Sequence, residues 1–272
     1  MRQQARPAPR EQPVAPRRAR RWHVAAVPLA TAAAAVVPWA ATTSPARQLS
    51  AVLLVVLSAS AVRSSSAAVR QSVLLVDLLF VAVAIGVLGL WPVPAVITVV
   101  VAWWIGGRGA GPHAWSRWLR RGRWTPDLPW LVASTIVVTA GALTAGQRLV
   151  DGRLPQDYVD LAGGRPWAVI VLGGVAFSLL NAAVEEVVFR GVLQSALTQV
   201  LGAGAALVLQ AVAFGVLHLG GVPSGPVGVA MAGAWGLLLG ILRLRSRGIL
   251  APYVTHVAAD ATIVVLMLPS LT

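Results

Sequence analysis

The chain has 272 residues, of which 57% are hydrophobic and only 11% are charged, and its formal net charge is +13. Soluble domains are about 45–50% apolar and about 25% charged, so this composition excludes an ordinary soluble domain and favours an integral membrane protein. The lack of cysteine excludes disulfides, thiol nucleophiles and Cys-ligated metals.

The first 22 residues are rich in Arg, Pro and Gln and predict a disordered basic tail. Nine apolar runs follow, at about 23–43, 49–62, 73–91, 93–106, 129–146, 167–188, 203–219, 226–242 and 249–268. The second and fourth runs are short for a bilayer that needs about 20 residues. We therefore expect an all-α, polytopic membrane helical bundle with seven to nine transmembrane helices.

All 22 basic residues are arginines, and they gather in short segments between the apolar runs. This distribution is typical of cytoplasmic loops and argues against a nucleic-acid partner. It predicts an integral protein of the cytoplasmic membrane with the tail, residues 1–22, inside the cell. The N-terminal transmembrane helices would occupy 23–146, with a basic cytoplasmic loop over 108–128, and a second helical region would occupy 167–268.

Several ionisable side chains fall inside apolar runs: Asp77, Glu185, Glu186, His218, His256 and Asp260. Each such group costs about 2.5–3.5 kcal/mol at membrane depth, so it is a functional candidate by default. All but Asp77 lie in the last third of the chain. For Asp77, which belongs to no evident motif, we expect a helix-packing hydrogen bond or a pair with an arginine.

Helical spacing groups these side chains further. Three pairs lie four residues apart and so share a helix face: Glu186 with Arg190, Phe214 with His218, and His256 with Asp260. The pair of Glu186 and Arg190 has a mainly structural interpretation. Glu185 points about 100° away from Glu186 on an α-helix, which leaves it free to face another partner.

The segment 200–204, VLGAG, predicts a turn between two helices. If the preceding helix continues through Arg190 to about Val200, an antiparallel hairpin places Glu185 and His218 at the same level. Simple counting along the hairpin does not bring His256 to that level. The glycine- and proline-rich stretch 220–226 could absorb the offset.

Two chemistries suit these residues. Glu185 could act as a general base on water while the imidazoles hold the water or stabilise an oxyanion. Alternatively, Glu185, His218 and His256 could bind zinc, which would itself activate the water. The chain has no H-E-x-x-H motif and no G-x-S-x-G motif. A lone buried histidine is more often a hydrogen-bonded core residue, so the functional interpretation depends on the whole set.

The stretches EEVVFR (185–190), FGVLH (214–218) and HVAAD (256–260) are similar to the motifs EExxxR, FxxxH and HxxxN/D, in that order. They resemble the CPBP family of CAAX-processing and Abi-type intramembrane proteases, described as metalloproteases or glutamic endopeptidases. The resemblance, which covers about 167–268, implies that Glu185 activates water with help from His218. It also implies that His256 and Asp260 line the oxyanion site.

The resemblance further implies that Glu186, Arg190 and Phe214 support this geometry and that no cofactor is needed, with zinc as the alternative. Asp260 departs from the asparagine variant of the third motif, because a carboxyl group donates a hydrogen bond only when it is protonated. The expected partners are membrane lipid and a peptide or protein substrate, possibly lipidated. Two alternatives stay open: a catalytically silent scaffold or accessory protein, and a proton-coupled transporter.

Overall fold

The computed structural model describes residues 17–40, 44–64, 66–84, 92–109, 119–146, 156–220 and 225–270. These residues form helices, with no strand among them: α1 Arg17–Ala40, α2 Ser44–Val62, α3 Ala67–Ala84, α4 Val93–Gly109, α5 Leu128–Gly146, α6 Gln156–Ala162, α7 Trp167–Glu185, a π-helical segment Glu186–Leu193, α8 Gln194–Leu201, α9 Ala203–Leu217, α10 Gly225–Ser246 and α11 Leu250–Met267. Short 3₁₀ turns follow α9 and α11. The expected all-α class is confirmed.

Among the described residues, four helical stretches are long and apolar enough to cross a bilayer: Leu128–Gly146, Trp167–Leu201, Gly225–Ser246 and Leu250–Met267. Large apolar side chains point outward from them; Val137 on α5 is 70% exposed and Leu172 on α7 is 68% exposed. Exposed apolar faces of this extent fit contact with lipid. The chain is therefore an integral membrane protein, while the count of seven to nine spans and the orientation stay predictions.

Only residues 17–22 of the basic N-terminal tail predicted over 1–22 are described. Helix α1 begins at Arg17, so residues 17–22 are helical rather than disordered. The rest of the predicted tail lies outside the described residues. Of the basic loop predicted over 108–128, residues 108–109 end α4, residue 128 begins α5, and residues 119–127 are the described part between these helices.

The predicted hairpin at 200–204 is confirmed. A continuous helical stretch runs from Trp167 through the π-helical segment to Leu201, and α9 begins directly after Gly202. Gly202 has a φ of +87°, a left-handed conformation that glycine adopts without steric cost. Helices α8 and α9 pack against each other on either side of this turn.

The N-terminal helices pack directly on this hairpin. Helix α1 contacts α8 and α9, and α3 contacts the π-helical segment. One continuous buried cluster joins Val27 of α1 and Val76 of α3 with Leu193 and Phe214 of the later helices. Residues of the first third of the chain therefore form part of the surroundings of the ionisable groups.

Asp77 lies on α3 and accepts a hydrogen bond from the Ser58 hydroxyl of α2, with an O···O distance of 2.5 Å. Ser58 Oγ also lies 2.7 Å from the Leu54 carbonyl oxygen of its own helix. Of the two roles expected for Asp77, the helix-packing hydrogen bond is the one found. Polar contacts of this kind between membrane helices each contribute modestly to association.

A backbone junction ties the loop before α5 to the turn between α10 and α11. The amide of Arg123 donates to the Ser246 carbonyl at 2.8 Å, and the amide of Ile249 donates to the Arg120 carbonyl at 2.7 Å. At the centre of the junction Gly122 has a φ of +87°, and a Cβ placed there would lie 2.6 Å from the Ser246 carbonyl oxygen. The junction fixes the start of α5 against the ends of the two last helices.

We expect Gly122→Ala to lower the free energy of unfolding by about 1–3 kcal/mol, because alanine is strained at this φ and meets rigid backbone atoms. Thermal melting of the purified protein in detergent measures the effect. The matched control is Gly141→Ala, since a Cβ at Gly141 on α5 meets nothing within 4 Å. Equal melting temperatures for the two variants would contradict the junction's role.

Candidate functional site

The helical turn that carries the two adjacent glutamates is not α-helical throughout. Glu185 ends α7, and Glu186 begins the π-helical segment, which lasts to Leu193. At its end the Gln194 amide donates to the Phe189 carbonyl, five residues earlier. Segments with this wider turn are rare and frequently occur at functional sites. The α-helical geometry expected from the sequence is therefore wrong for residues 186–193.

A single carboxylate oxygen forms the centre of the buried charge network. Glu186 Oε1 accepts a hydrogen bond from Arg190 Nη1 at 2.8 Å and lies 2.7 Å from His256 Nδ1. Glu186 and Arg190 are both fully buried. The Arg190 guanidinium also lies over the Phe214 ring, 4.3 Å from its centroid, and Nη2 is 3.4 Å from the Gly236 carbonyl oxygen. The predicted pair of Glu186 and Arg190 is confirmed, with His256 as a further partner.

Glu185 reaches the other side of the same imidazole. Its Oε2 lies 3.5 Å from His256 Nε2, and its side chain is 5% exposed. Within the described part of the chain, Oε2 has no hydrogen-bond partner. The expectation that the two glutamates would face separate partners is thus wrong, since both approach His256. The reason is that the imidazole lies between their side chains and presents one nitrogen to each.

The site depends on antiparallel packing of α7 against α11. Glu185 lies beside His256, and one turn earlier on α7 Asn181 lies beside Asp260. Asn181 Nδ2 donates to Asp260 Oδ2 at 3.0 Å, while Asp260 Oδ1 is 3.7 Å from His256 Nε2. Because residues four apart share a helix face, each helix contributes two side chains to one polar group. The offset that hairpin counting left for His256 does not arise, since α11 reaches Glu185 by packing on α7.

His218 sits at the end of α9, next to the aromatic residue of its motif. Its Nδ1 lies 2.9 Å from the Phe214 carbonyl oxygen, and its ring is 4.7 Å from the Phe214 ring. A carbonyl only accepts, so Nδ1 carries the proton and Nε2 of the neutral ring is left as an acceptor. The Phe214 ring is also 5.9 Å from the His256 ring. Across the described residues, Glu185 and His218 share no direct hydrogen bond or ion pair.

A small pocket lies beside Glu185, and only apolar atoms of its lining residues face it. Besides Glu185, these residues come from both halves of the chain: Ala34, Leu79, Val184, Val188, Phe189 and Leu217. Ala34 belongs to α1 and Leu79 to α3. No role at the site was predicted for these helices.

Sequence reasoning also missed three buried amide side chains around the charge network. Besides Asn181, Gln210 of α9 donates to the Gly236 carbonyl at 2.8 Å, and Gln194 of α8 donates to the Gly240 carbonyl at 3.2 Å. These bonds attach α8 and α9 to α10. For Asn181 a signal was present, because it lies four residues before Glu185 and therefore on the same helix face.

The residues named for a zinc alternative, Glu185, His218 and His256, do not form a metal-binding group in this structure. Among the described residues, no three His, Cys, Asp or Glu side chains are arranged to hold a metal ion. The buried acids are instead engaged with Arg190, His256 and Asn181. The donor set therefore fits a hydrogen-bonded network better than a tetrahedral ligand shell.

Residues 166–262 match the family model of Rce1-like proteins, described as type II CAAX prenyl endopeptidase Rce1-like. No curated protein and no solved structure matches the chain. The matched range contains all three motifs and every polar contact of the site described above. This region of the chain is therefore similar to type II CAAX prenyl endopeptidases, the kind of family that the three motifs predict.

Proposed function

We propose that the chain is an intramembrane endopeptidase that hydrolyses a peptide bond of a membrane-associated peptide or protein. The observation that carries this proposal is the position of Glu185. Its carboxylate is buried among membrane helices, lies 3.5 Å from His256 Nε2, and has an oxygen, Oε2, without a hydrogen-bond partner among the described residues. A general base needs a free acceptor for the proton that it removes, and Oε2 supplies that acceptor.

In the proposed reaction Glu185 removes a proton from water as the oxygen attacks the carbonyl carbon of the peptide bond. The carbonyl π electrons move to oxygen and form a tetrahedral oxyanion. His256, as an imidazolium that donates from Nε2, and protonated Asp260 stabilise that oxyanion as hydrogen-bond donors. The C–N bond then breaks, and protonated Glu185 returns its proton to the leaving nitrogen. The products are one carboxylic acid and one amine, with water consumed.

The neighbouring residues keep these groups in place. Glu186 accepts from His256 Nδ1, which orients Nε2 toward Glu185 and Asp260. Arg190 balances the charge of Glu186. His218, with Nδ1 bonded to the Phe214 carbonyl, offers Nε2 as an acceptor that can hold the attacking water. In this scheme no cofactor takes part.

The apolar pocket walls favour a substrate that reaches the site from the lipid phase. The matching family is described by its action on CAAX prenyl proteins, so a prenylated CAAX peptide is the first probe and its unprenylated form the second. We place the protein in the cytoplasmic membrane with its N-terminus inside, on the basis of the arginine distribution.

The decisive variant is Glu185→Gln. It keeps the size of the side chain and removes the base, so we expect peptide hydrolysis to fall by about 100-fold or more. The measurement is product formation by mass spectrometry, with the purified protein reconstituted in lipid nanodiscs. Thermal melting of the same preparation establishes that the variant is folded.

The matched control is Ser178→Ala on the same helix, because the Ser178 hydroxyl donates to the Gly174 carbonyl of its own helix and bonds to no other described residue. This control should keep wild-type activity. Hydrolysis that persists in Glu185→Gln would contradict the proposed base, and loss of activity on adding a chelator would favour zinc. If the wild-type protein cleaves neither peptide, that result would favour the scaffold or transporter alternative.

The two adjacent glutamates should differ in their effect on stability. Glu186→Ala leaves Arg190 and His256 buried without their shared acceptor, a type of loss that costs about 3–5 kcal/mol. Glu185→Ala removes an oxygen that has no hydrogen-bond partner among the described residues, so its cost should be smaller. Melting temperatures in detergent at one pH compare the two.

The corresponding glutamine variants provide the control for cavity formation, since each keeps the side-chain volume. We expect the same order, with Glu186→Gln less stable than Glu185→Gln. Equal decreases in melting temperature for both glutamates would refute this division between a supporting and a reacting carboxylate.

A further inference from the structure

Asn181 and Asp260 form a directional pair at the edge of the site. Both side chains are buried, with exposed fractions of 6% and 4%. Asn181 Nδ2 donates to Asp260 Oδ2 at 3.0 Å, and Asp260 Oδ1 faces His256 Nε2 at 3.7 Å. The two oxygens of one carboxyl group therefore have different neighbours: an amide donor on one side and the imidazole on the other.

The direction of the amide bond has a chemical consequence. An amide NH₂ group can only donate, so Asp260 Oδ2 acts as the acceptor in this pair. When Asp260 carries a proton, that proton consequently belongs on Oδ1, the oxygen on the side of His256 and Glu185. Asn181 thus determines on which side Asp260 presents its hydroxyl donor.

We infer that Asn181 is a positioning residue that makes Asp260 a hydrogen-bond donor directed into the site. This inference rests on the proposed hydrolysis and assigns a task to a residue outside the three motifs. It also accounts for an aspartate at position 260. With Asn181 in place, a carboxylic acid at 260 offers the site a donor at the position where an asparagine would offer its amide.

The inference makes opposite predictions for two variants that both keep a hydrogen bond between the helices. In Asp260→Asn, Asn181 donates to the new amide oxygen, so the new NH₂ group faces His256 and a donor is retained. In the exchange variant Asn181→Asp with Asp260→Asn, the carboxylate at 181 can only accept. The amide at 260 then turns its NH₂ group away, and its carbonyl oxygen faces His256 instead.

The experiment compares kcat, KM and melting temperature for wild type, Asp260→Asn and the exchange variant, with the prenylated CAAX peptide in nanodiscs. Asp260→Asn is the reference for the exchange variant, because both variants carry an amide at position 260. The exchange variant should melt close to Asp260→Asn and lose about 100-fold in kcat with little change in KM, because one oxyanion donor is replaced by an acceptor. A purely structural pair would instead give equal kcat values, which would overturn the inference.

Asn181→Leu supplies a second test, with Ser178→Ala as the matched control on the same helix. The leucine variant should lose kcat in the wild-type background and lose less in the Asp260→Asn background, because an amide carries its donor without a proton being placed by Asn181. Equal losses in both backgrounds would show that the two residues act independently and would contradict the inference.

The failure of the proposed hydrolysis can be told apart from the failure of this inference. Absence of Glu185-dependent cleavage by the wild-type protein would refute the proposed hydrolysis. The carbonyl stretch of protonated Asp260, assigned by its loss in Asp260→Asn, still tests the pair in the infrared spectrum at acidic pH. It should move to higher frequency in Asn181→Leu, because the Oδ2 carbonyl loses its donor, and an unmoved band would contradict the inference.

Discussion

The site depends on one carboxylate oxygen that is shared between two cations or donors. Glu186 Oε1 lies 2.8 Å from Arg190 Nη1 and 2.7 Å from His256 Nδ1, and all three side chains are buried. A buried charge without a partner is strongly destabilising, so each of these residues lowers the free-energy cost of burying the others. The network also fixes the His256 ring, because the nitrogen bonded to Glu186 leaves the opposite nitrogen directed at Glu185 and Asp260.

The fold brings this network together from three separate stretches of the chain. The π-helical segment presents Glu186 and Arg190 to the bundle interior, and the antiparallel packing of α7 on α11 adds His256 and Asp260. Helix α9, which follows the turn at Gly202, supplies Phe214 in contact with Arg190 and both histidine rings. Helices α1 and α3 close the remaining side with apolar residues, so the N-terminal helices are part of the environment of Glu185.

Much of this arrangement could be predicted from the sequence. The apolar runs indicated helices in a membrane, the glycines after Leu201 indicated the hairpin, and the spacing of Glu186 and Arg190 indicated their ion pair. These features depend on local periodicity and on the cost of isolated charge in lipid, both of which a single sequence reveals. The three ordered motifs predicted a family of the kind whose model matches residues 166–262.

Other features depend on packing between distant segments and had no local signal. The π-helical turn breaks the α-helical periodicity that was assumed, and the His256 ring from α11 lies between the two glutamates, so that both lie beside it. The apolar wall from Ala34 and Leu79 depends on how α1 and α3 pack on the hairpin. The bond from Asn181 to Asp260 joins residues 79 apart in the chain, so only the approach of α7 to α11 reveals it.

The most direct test of the central network is the ¹⁵N NMR spectrum of His256 in lipid bilayers, assigned with a His256→Gln variant. The account predicts that Nδ1 is protonated and bonded to Glu186, so that its signal changes in Glu186→Gln. It also predicts that Nε2 responds separately to Glu185→Gln. A spectrum in which Nδ1 carries no proton, or in which neither glutamate variant alters the His256 signals, would contradict it.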